Sequence, residues 1–150
     1  TTFKNKGLPS IFRQFNQISS KKNVLRGLHY QLTHPQGKLI RVISGSIRDV
    51  AVDIRKHSPT YGHYALSKLT GKNKKLLYIP EGFAHGYIVE SDLAVVVYQN
   101  TEIYVPNDQF GINWNDPELN IPWGISAPIL SEKDNELPFL KLQKNLPTYQ

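Results

Sequence analysis

The stretch "KLIRVISGSIRDVAVDI", residues 38–54, decides the fold class. It contains two runs, 38–44 and 46–54, in which Val and Ile recur, and Ser-Gly-Ser at 44–46 separates them. β-Branched side chains favour strands, whereas Gly and Ser favour turns. The pattern therefore predicts two consecutive strands that form a hairpin at residues 44–46.

Further strand-like runs follow, and together they predict an all-β fold. They are "GHYALSKL" (62–69), "KLLYIP" (75–80), "HGYIVE" (85–90) and "LAVVVYQN" (93–100). Strands that recur every ~8–12 residues are typical of a sandwich or barrel. No long segment has the period of a helix, so helices are not expected to build the core.

The chain beyond residue 105 is irregular, rich in Pro, and contains both Trp residues. We expect this tail to wrap around the β body. Within "SEKDNELPFL" (131–140), Ser131 is a candidate N-cap and Asp134 follows three residues later, which predicts a short helical turn. A length of 150 residues predicts a single domain over residues 1–150.

The composition limits the possible functions. There is no cysteine, which excludes thiol catalysis and disulfides and fits a reducing compartment, so we expect a cytoplasmic protein. No run approaches the ~18 apolar residues of a membrane span, so no membrane association is expected. The net charge of +6 suits an anionic partner. Nucleic acid is not expected, because no recognition motif or stripe of basic and aromatic residues is present.

Two short segments carry groups that could do chemistry. "RGLHYQ" (26–31) places His29 in an otherwise apolar run, and it is either a core histidine bonded to backbone or a catalytic one. "PEGFAHG" (80–86) has the spacing P-x-G-x-x-H and resembles the second motif of the cupin superfamily. A metal-binding cupin would need a second His two positions after His29, but Gln31 stands there, so no metal is expected.

Five segments in order resemble one family over nearly the whole chain. They are "KKNVLRGLHYQ", "PQGKLIRVISGSIRDVAVDIRKHSPTYG", "IPEGFAHGY", "GINWNDPELNIPW" and "LSEKD". Together they resemble the dTDP-4-dehydrorhamnose 3,5-epimerases. The resemblance implies a cupin-type jelly roll (a double-stranded β-helix barrel), a homodimer and a nucleotide-diphosphate sugar as substrate. The implied reaction inverts carbons 3 and 5 of dTDP-4-keto-6-deoxy-D-glucose without a metal or cofactor.

The resemblance also implies four catalytic residues. His29 matches the base, and Asp134 matches the carboxylate that orients this histidine. Tyr98 matches the acid on the other face of the sugar, and Lys38 matches the lysine beside the carbon-4 oxygen. From the residues alone, Tyr98 could instead pack at a barrel rim, Lys38 could lie at a strand edge, and Asp134 could only cap a turn.

Substrate-binding residues are implied in the same way. Arg26 matches a diphosphate contact, Gln14 and Asn16 match ligand contacts in a Q-x-N motif, and His85 matches a pocket histidine. Asp53 is expected to be structural, facing Arg55 or a turn.

The chain differs from the family in two places, and three alternative functions stay open from the sequence alone. The family's upstream segment with a "D-E-R-G-F-F-x-E"-like motif has no match in this chain, and Phe15 stands where the family often has Asp. The chain could epimerise only one carbon or act on another nucleotide-linked 4-keto-deoxysugar. It could also be a cupin that binds a sugar nucleotide without catalysis.

Overall fold

A computed structural model describes residues 2–149, and nine strands form its body. The strands are β1 (Gln14–Lys21), β2 (Leu25–Gln31), β3 (Lys38–Ser44), β4 (Ser46–Asp53), β5 (Tyr64–Thr70), β6 (Leu76–Ile79), β7 (Phe83–Val89), β8 (Leu93–Asn100) and β9 (Gln109–Gly111). Two four-residue helices, α1 (Thr2–Asn5) and α2 (Glu132–Asn135), and 3₁₀ turns at Pro106–Asp108 and Leu140–Leu142 complete the description. None of the helices described is long and apolar enough to cross a membrane.

The strands form two antiparallel sheets. One sheet has four strands in the order β1-β8-β3-β6, and the other has five in the order β5-β4-β7-β2-β9. Alternate residues of each strand point to opposite faces. Along β4, for example, Ile47 and Ala51 face the four-stranded sheet, whereas Val50 and Val52 face away from it.

The five-stranded sheet is therefore covered on both faces. Between the two sheets lies one apolar cluster, built from residues such as Ile40, Val96 and Val89. On the outer face a second cluster packs against the C-terminal tail, which contributes Trp123 and Leu140. The prediction that the tail wraps the β body is confirmed, and Ser131 is the N-cap of α2 as expected.

The predicted hairpin at residues 44–46 is wrong. β3 pairs with β6 and β8, whereas β4 pairs with β5 and β7, so the two strands belong to different sheets. Gly45 is the corner where the chain crosses between sheets, with φ of +78°, and a Cβ there would collide with the Leu93 carbonyl oxygen. The Ser-Gly-Ser signal for a sharp turn was correct, but such a turn also serves a corner between two sheets.

Candidate active site

A cavity of about 550 Å³ opens between the two sheets. The eight site residues expected from the sequence all line it: Gln14, Asn16, Arg26, His29, Lys38, His85, Tyr98 and Asp134. They come from five strands and from α2, so the fold brings together residues that are far apart in the chain.

His29 and Asp134 form a close pair. His29 Nε2 lies 2.5 Å from Asp134 Oδ1, and the Gly27 amide donates to Oδ2 at 3.3 Å. The Asp134 amide also donates to the Ser131 hydroxyl at 3.1 Å, which caps α2. Burial acts to raise the Asp134 pKa, but the hydrogen bonds from His29 and Gly27 outweigh it and hold the pKa below its ordinary value. Because a carboxylate accepts, the neutral imidazole carries its hydrogen on Nε2 and its lone pair on Nδ1.

A break in β2 lets the side chains of both Arg26 and His29 reach the cavity. Arg26 and His29 are three residues apart, and in a regular strand they would point to opposite faces. The register against β7 shifts between these two residues, at Gly27, whose φ is +108°. Leu28 and Tyr30 therefore pack under the tail, while Arg26 and His29 line the cavity. A Cβ at Gly27 would collide with the His85 backbone.

Lys38 lies at the start of β3 and is almost fully buried, with 9% of its surface exposed. Its Nζ donates to the His29 carbonyl oxygen at 3.4 Å. Burial lowers the pKa of Lys38 to about 8, and the negative charge of Asp49 partly opposes this effect. The side chain thus places a cation beside the His29 strand, and that cation is lost within the physiological to mildly alkaline range.

A second histidine–carboxylate pair was not foreseen. His85 Nε2 lies 2.9 Å from Asp49 Oδ2, and both side chains are buried. His85 stands directly opposite His29 in the β2–β7 pairing. The available signal was an acid at an inward position of the apolar run 46–54, because a buried carboxylate needs a partner. The partner itself depends on the β4–β7 register, which the sequence did not reveal.

Tyr98 faces the cavity from the opposite sheet. It lies on β8, between Asn16 of β1 and Ile40 of β3. Burial raises the pKa of Tyr98, although the charge of Arg26 acts in the other direction. Tyr98 is therefore a protonated donor at neutral pH, and it stands on one wall while His29 stands on the other.

Asp53 and Arg55 lie outside the cavity, and the expected contact between them is confirmed. Its carboxylate accepts from the Arg55 guanidinium at 2.9 and 2.7 Å and from the Ser58 and Thr60 hydroxyls at 2.6 and 2.7 Å. These contacts fix the loop after β4. Over residues 2–149, no group of three or more His, Cys, Asp or Glu side chains is arranged to hold a metal ion.

Comparisons with known proteins give one consistent result. The family model described as dTDP-4-dehydrorhamnose 3,5-epimerase matches residues 1–142. The epimerase of that name from Pseudomonas aeruginosa is 47% identical over 131 residues, which cover 87% of this chain and 72% of the relative. Its counterpart from Methanothermobacter thermautotrophicus is 48% identical over 135 residues, with 88% and 73% covered.

Solved structures agree with the sequence relatives. The dTDP-6-deoxy-D-glucose-3,5-epimerase from Legionella pneumophila, in complex with dTDP-4-keto-L-rhamnose, superposes with a TM-score of 0.94 at 44% identity, covering 98% of this chain and 80% of that one. A 3'-monoepimerase from Streptomyces bikiniensis, in complex with dTDP-quinovose, superposes with a TM-score of 0.88 at 32% identity, covering 93% and 73%. With the two facing sheets, these likenesses confirm the predicted cupin-type jelly roll.

Proposed function

Because this chain belongs to the dTDP-4-dehydrorhamnose 3,5-epimerase family, we propose that it inverts carbons 3 and 5 of dTDP-4-keto-6-deoxy-D-glucose. One observation carries the proposal. The oriented pair His29–Asp134 and the protonated Tyr98 face each other across the cavity from two different sheets. An epimerase needs a base on one face of the reacting carbon and an acid on the other, and this arrangement supplies both.

His29 is proposed as the base. The ketone at carbon 4 acidifies the protons on carbons 3 and 5, so a neutral imidazole can remove one of them through Nδ1. The C–H electron pair then becomes part of the enolate, and the negative charge collects on the carbon-4 oxygen. Asp134 stabilises the resulting imidazolium through Nε2 and keeps the ring in the required tautomer.

Lys38 and Tyr98 are proposed to complete each inversion. The Lys38 ammonium stabilises the enolate oxygen, and its low-dielectric surroundings strengthen that interaction. Tyr98 then gives its phenolic proton to the carbon from the face opposite His29. Exchange with solvent returns a proton to Tyr98 and removes one from His29, so the same pair can serve the second carbon.

Arg26, Gln14, Asn16 and His85 are proposed to bind the nucleotide-diphosphate sugar. The Arg26 guanidinium presents a planar set of donors suited to a diphosphate. Gln14 and Asn16 form one wall of the cavity from β1, where Gln14 Nε2 donates to Asn16 Oδ1 at 3.0 Å. The His85–Asp49 pair gives a fixed imidazole on the floor, two residues along β7 from the buried Tyr87.

A homodimer is also proposed, and a cytoplasmic location stays a prediction. The outer face of the four-stranded sheet exposes large apolar side chains: Phe15, Ile43, Leu76 and Leu93, each between 48% and 61% exposed. Large apolar side chains exposed on one face of a sheet fit a protein interface, and a second copy of the chain is the proposed occupant. Light scattering should report twice the mass of one chain, and Phe15→Lys should convert the protein to monomers.

Turnover in D2O tests the proposed reaction. Each inversion places one solvent deuteron on the inverted carbon, so the product should carry deuterium at both carbon 3 and carbon 5. Mass spectrometry gives the number of deuterons and proton NMR gives their positions. Deuterium at a single carbon would instead identify a mono-epimerase. Binding of dTDP without any exchange would identify a non-catalytic sugar-nucleotide-binding protein, and either result would overturn the proposal.

A further inference from the structure

Asp49 is a carboxylate buried beneath the floor of the cavity. It lies on β4 between Ile47 and Ala51, on the face of the strand that is turned towards the four-stranded sheet. Its exposed fraction is 0% and it does not line the cavity, so it cannot touch a bound substrate. An ionised group is costly to bury unless opposite charge and hydrogen bonds compensate it. None of the proposed catalytic steps uses this carboxylate.

Only one oxygen of Asp49 has a hydrogen-bond partner among the residues described. Oδ2 lies 2.9 Å from His85 Nε2, which donates to it because a carboxylate accepts, and Oδ1 has no partner. Tyr87 stands opposite Asp49 in the β4–β7 pairing, but burial raises the pKa of Tyr87 to about 12, so this neighbour is uncharged. No lysine or arginine within residues 2–149 forms a salt bridge with Asp49.

Lys38 is a buried cation that lacks a contact with opposite charge. It forms no salt bridge within residues 2–149, and its one hydrogen bond there is the long one to the His29 carbonyl oxygen. Its direct neighbours on the adjacent strands, Ile79 and Asn100, are uncharged. The negative charge of Asp49 acts on Lys38 from beyond contact distance and raises the pKa of the amine against the effect of burial.

Within residues 2–149, one acid lines the cavity, and it is bonded to other groups. The ionisable side chains that surround Lys38 there are Arg26 and His29 on β2, His85 and Tyr87 on β7, Tyr98 on β8, Tyr104 after β8, and Lys133 and Asp134 on α2. Asp134 is the acid of this set, and its carboxylate is bonded to His29 and to the Gly27 amide. Asp49 is therefore the carboxylate that remains to balance Lys38.

We propose that Asp49 is a positioning residue for epimerisation: held by His85, it is the buried countercharge that keeps Lys38 an ammonium without contacting it. The inference rests on the proposed function, in which Lys38 stabilises the enolate oxygen. A carboxylate in direct contact would occupy N–H donors of Lys38 and would compete with the enolate oxygen for them. The bond to His85 fixes Asp49 where its charge reaches Lys38 but its oxygens do not.

The test is a double-mutant cycle with Asp49→Asn and Lys38→Arg. Asparagine has the size of aspartate and its carbonyl oxygen can still accept from His85, so Asp49→Asn removes the charge and keeps the bond. The alkaline midpoint of kcat/KM should move to lower pH in this variant, and a fall of one pH unit would reduce kcat/KM at pH 8 about fivefold. Lys38→Arg keeps a cation at every pH tested, so adding Asp49→Asn to it should produce no alkaline limb.

Two control variants separate the charge of Asp49 from folding. Asp49→Glu retains the negative charge, so its alkaline midpoint should stay at or above that of the unchanged protein even if kcat falls. Asp116→Asn removes the charge of another buried acid, which lies outside the cavity and accepts from the amides of Glu118, Leu119 and Leu140. It should lower Tm and leave the alkaline midpoint unchanged. Titration calorimetry should give nearly the same Kd for dTDP in Asp49→Asn and the unchanged protein, because dTDP lacks the ketone.

The other outcomes overturn either the inference or the reaction on which it rests. An alkaline midpoint that is unchanged in Asp49→Asn, or lowered in Asp49→Glu, would show that Asp49 is not the countercharge of Lys38. An equal loss from Asp49→Asn in the unchanged and the Lys38→Arg backgrounds would place its effect on His85 or on the fold. An Asp49→Asn protein that does not fold, beside a folded Asp116→Asn, would make Asp49 a structural residue. Absence of deuterium exchange in the unchanged protein would overturn the proposed function, whereas normal exchange with an unmoved midpoint would overturn this inference alone.

Discussion

The rate of the reaction should depend on the charge of Lys38, and pH is the most direct way to change that charge. Burial lowers the pKa of Lys38 to about 8. An amine is charged below its pKa, so about nine tenths of the molecules carry the ammonium at pH 7 and about one tenth at pH 9. Since kcat/KM reports the free enzyme, it should fall about tenfold between these two pH values, with its midpoint near the pKa of Lys38.

The assay is the initial rate at low substrate across about pH 6 to 10, with circular dichroism as a check that the protein stays folded. Burial raises the pKa of Tyr98, the proposed acid, above its ordinary 10.0, so Tyr98 loses its proton at higher pH than Lys38. Lys38→Arg keeps the cation at every pH tested, so its alkaline limb should disappear even if its absolute rate is lower.

Asp49 provides a second check on the cause. Its negative charge raises the pKa of Lys38 against the effect of burial. Asp49→Asn should therefore shift the alkaline midpoint to lower pH. A kcat/KM that stays constant to pH 9.5 in the unchanged protein would refute the assignment, and so would an identical alkaline limb in Lys38→Arg.

Three further predictions concern His29, Lys38 and Gly45. His29→Ala should keep dTDP binding but lose deuterium exchange at both carbons by about 10²–10⁴-fold, and unchanged turnover would remove His29 from the mechanism. Lys38→Met should abolish most turnover. It should also raise the free energy of unfolding at pH 7 by up to about 3 kcal/mol, which is the free energy that corresponds to a fall in pKa from 10.5 to about 8. The sign follows because a lowered pKa means that folding disfavours the charged form below pH 8; the gain in urea unfolding should shrink as the pH rises from 8 towards 10.5, and a variant less stable than the unchanged protein at pH 7 would contradict this. Gly45→Ala should lower the free energy of unfolding by more than about 1 kcal/mol through both positive φ and collision, whereas Gly7→Ala, with a positive φ but no atom within 4 Å, should lose less; equal losses would show that the sheet corner tolerates a Cβ.

The sequence predicted the apolar strands well because their composition reflects their burial. The runs at 38–44 and 93–100 match β3 and β8 to the residue. β1 was missed, since its inward side chains Gln14 and Asn16 are polar and line a cavity instead of a core. A strand that faces a binding site loses the apolar alternation by which strands are recognised.

The pairing of strands that are distant in the chain could not be predicted from the sequence alone. The hairpin at 44–46 was a reasonable local prediction, but the choice between a hairpin and a corner depends on which strands lie beside β3 and β4. The contact of Asp49 with His85 depends on the same register. The individual site residues came from a family resemblance; their separation on two walls required the fold.

The break in β2 has a consequence for the spacing of the residues that line the cavity. Arg26 and His29 extend from one short length of backbone, so the backbone of β2 sets the separation of their Cα atoms. Tyr98 belongs to the other sheet, and its distance from His29 depends on how far apart the sheets are held by their side chains. One spacing in the cavity thus depends on the backbone of a single strand, and the other depends on the packing between two sheets. Changes in core side-chain volume between the sheets should alter which carbon Tyr98, the proposed acid, can reach, while Arg26 and His29 keep their places in the other sheet.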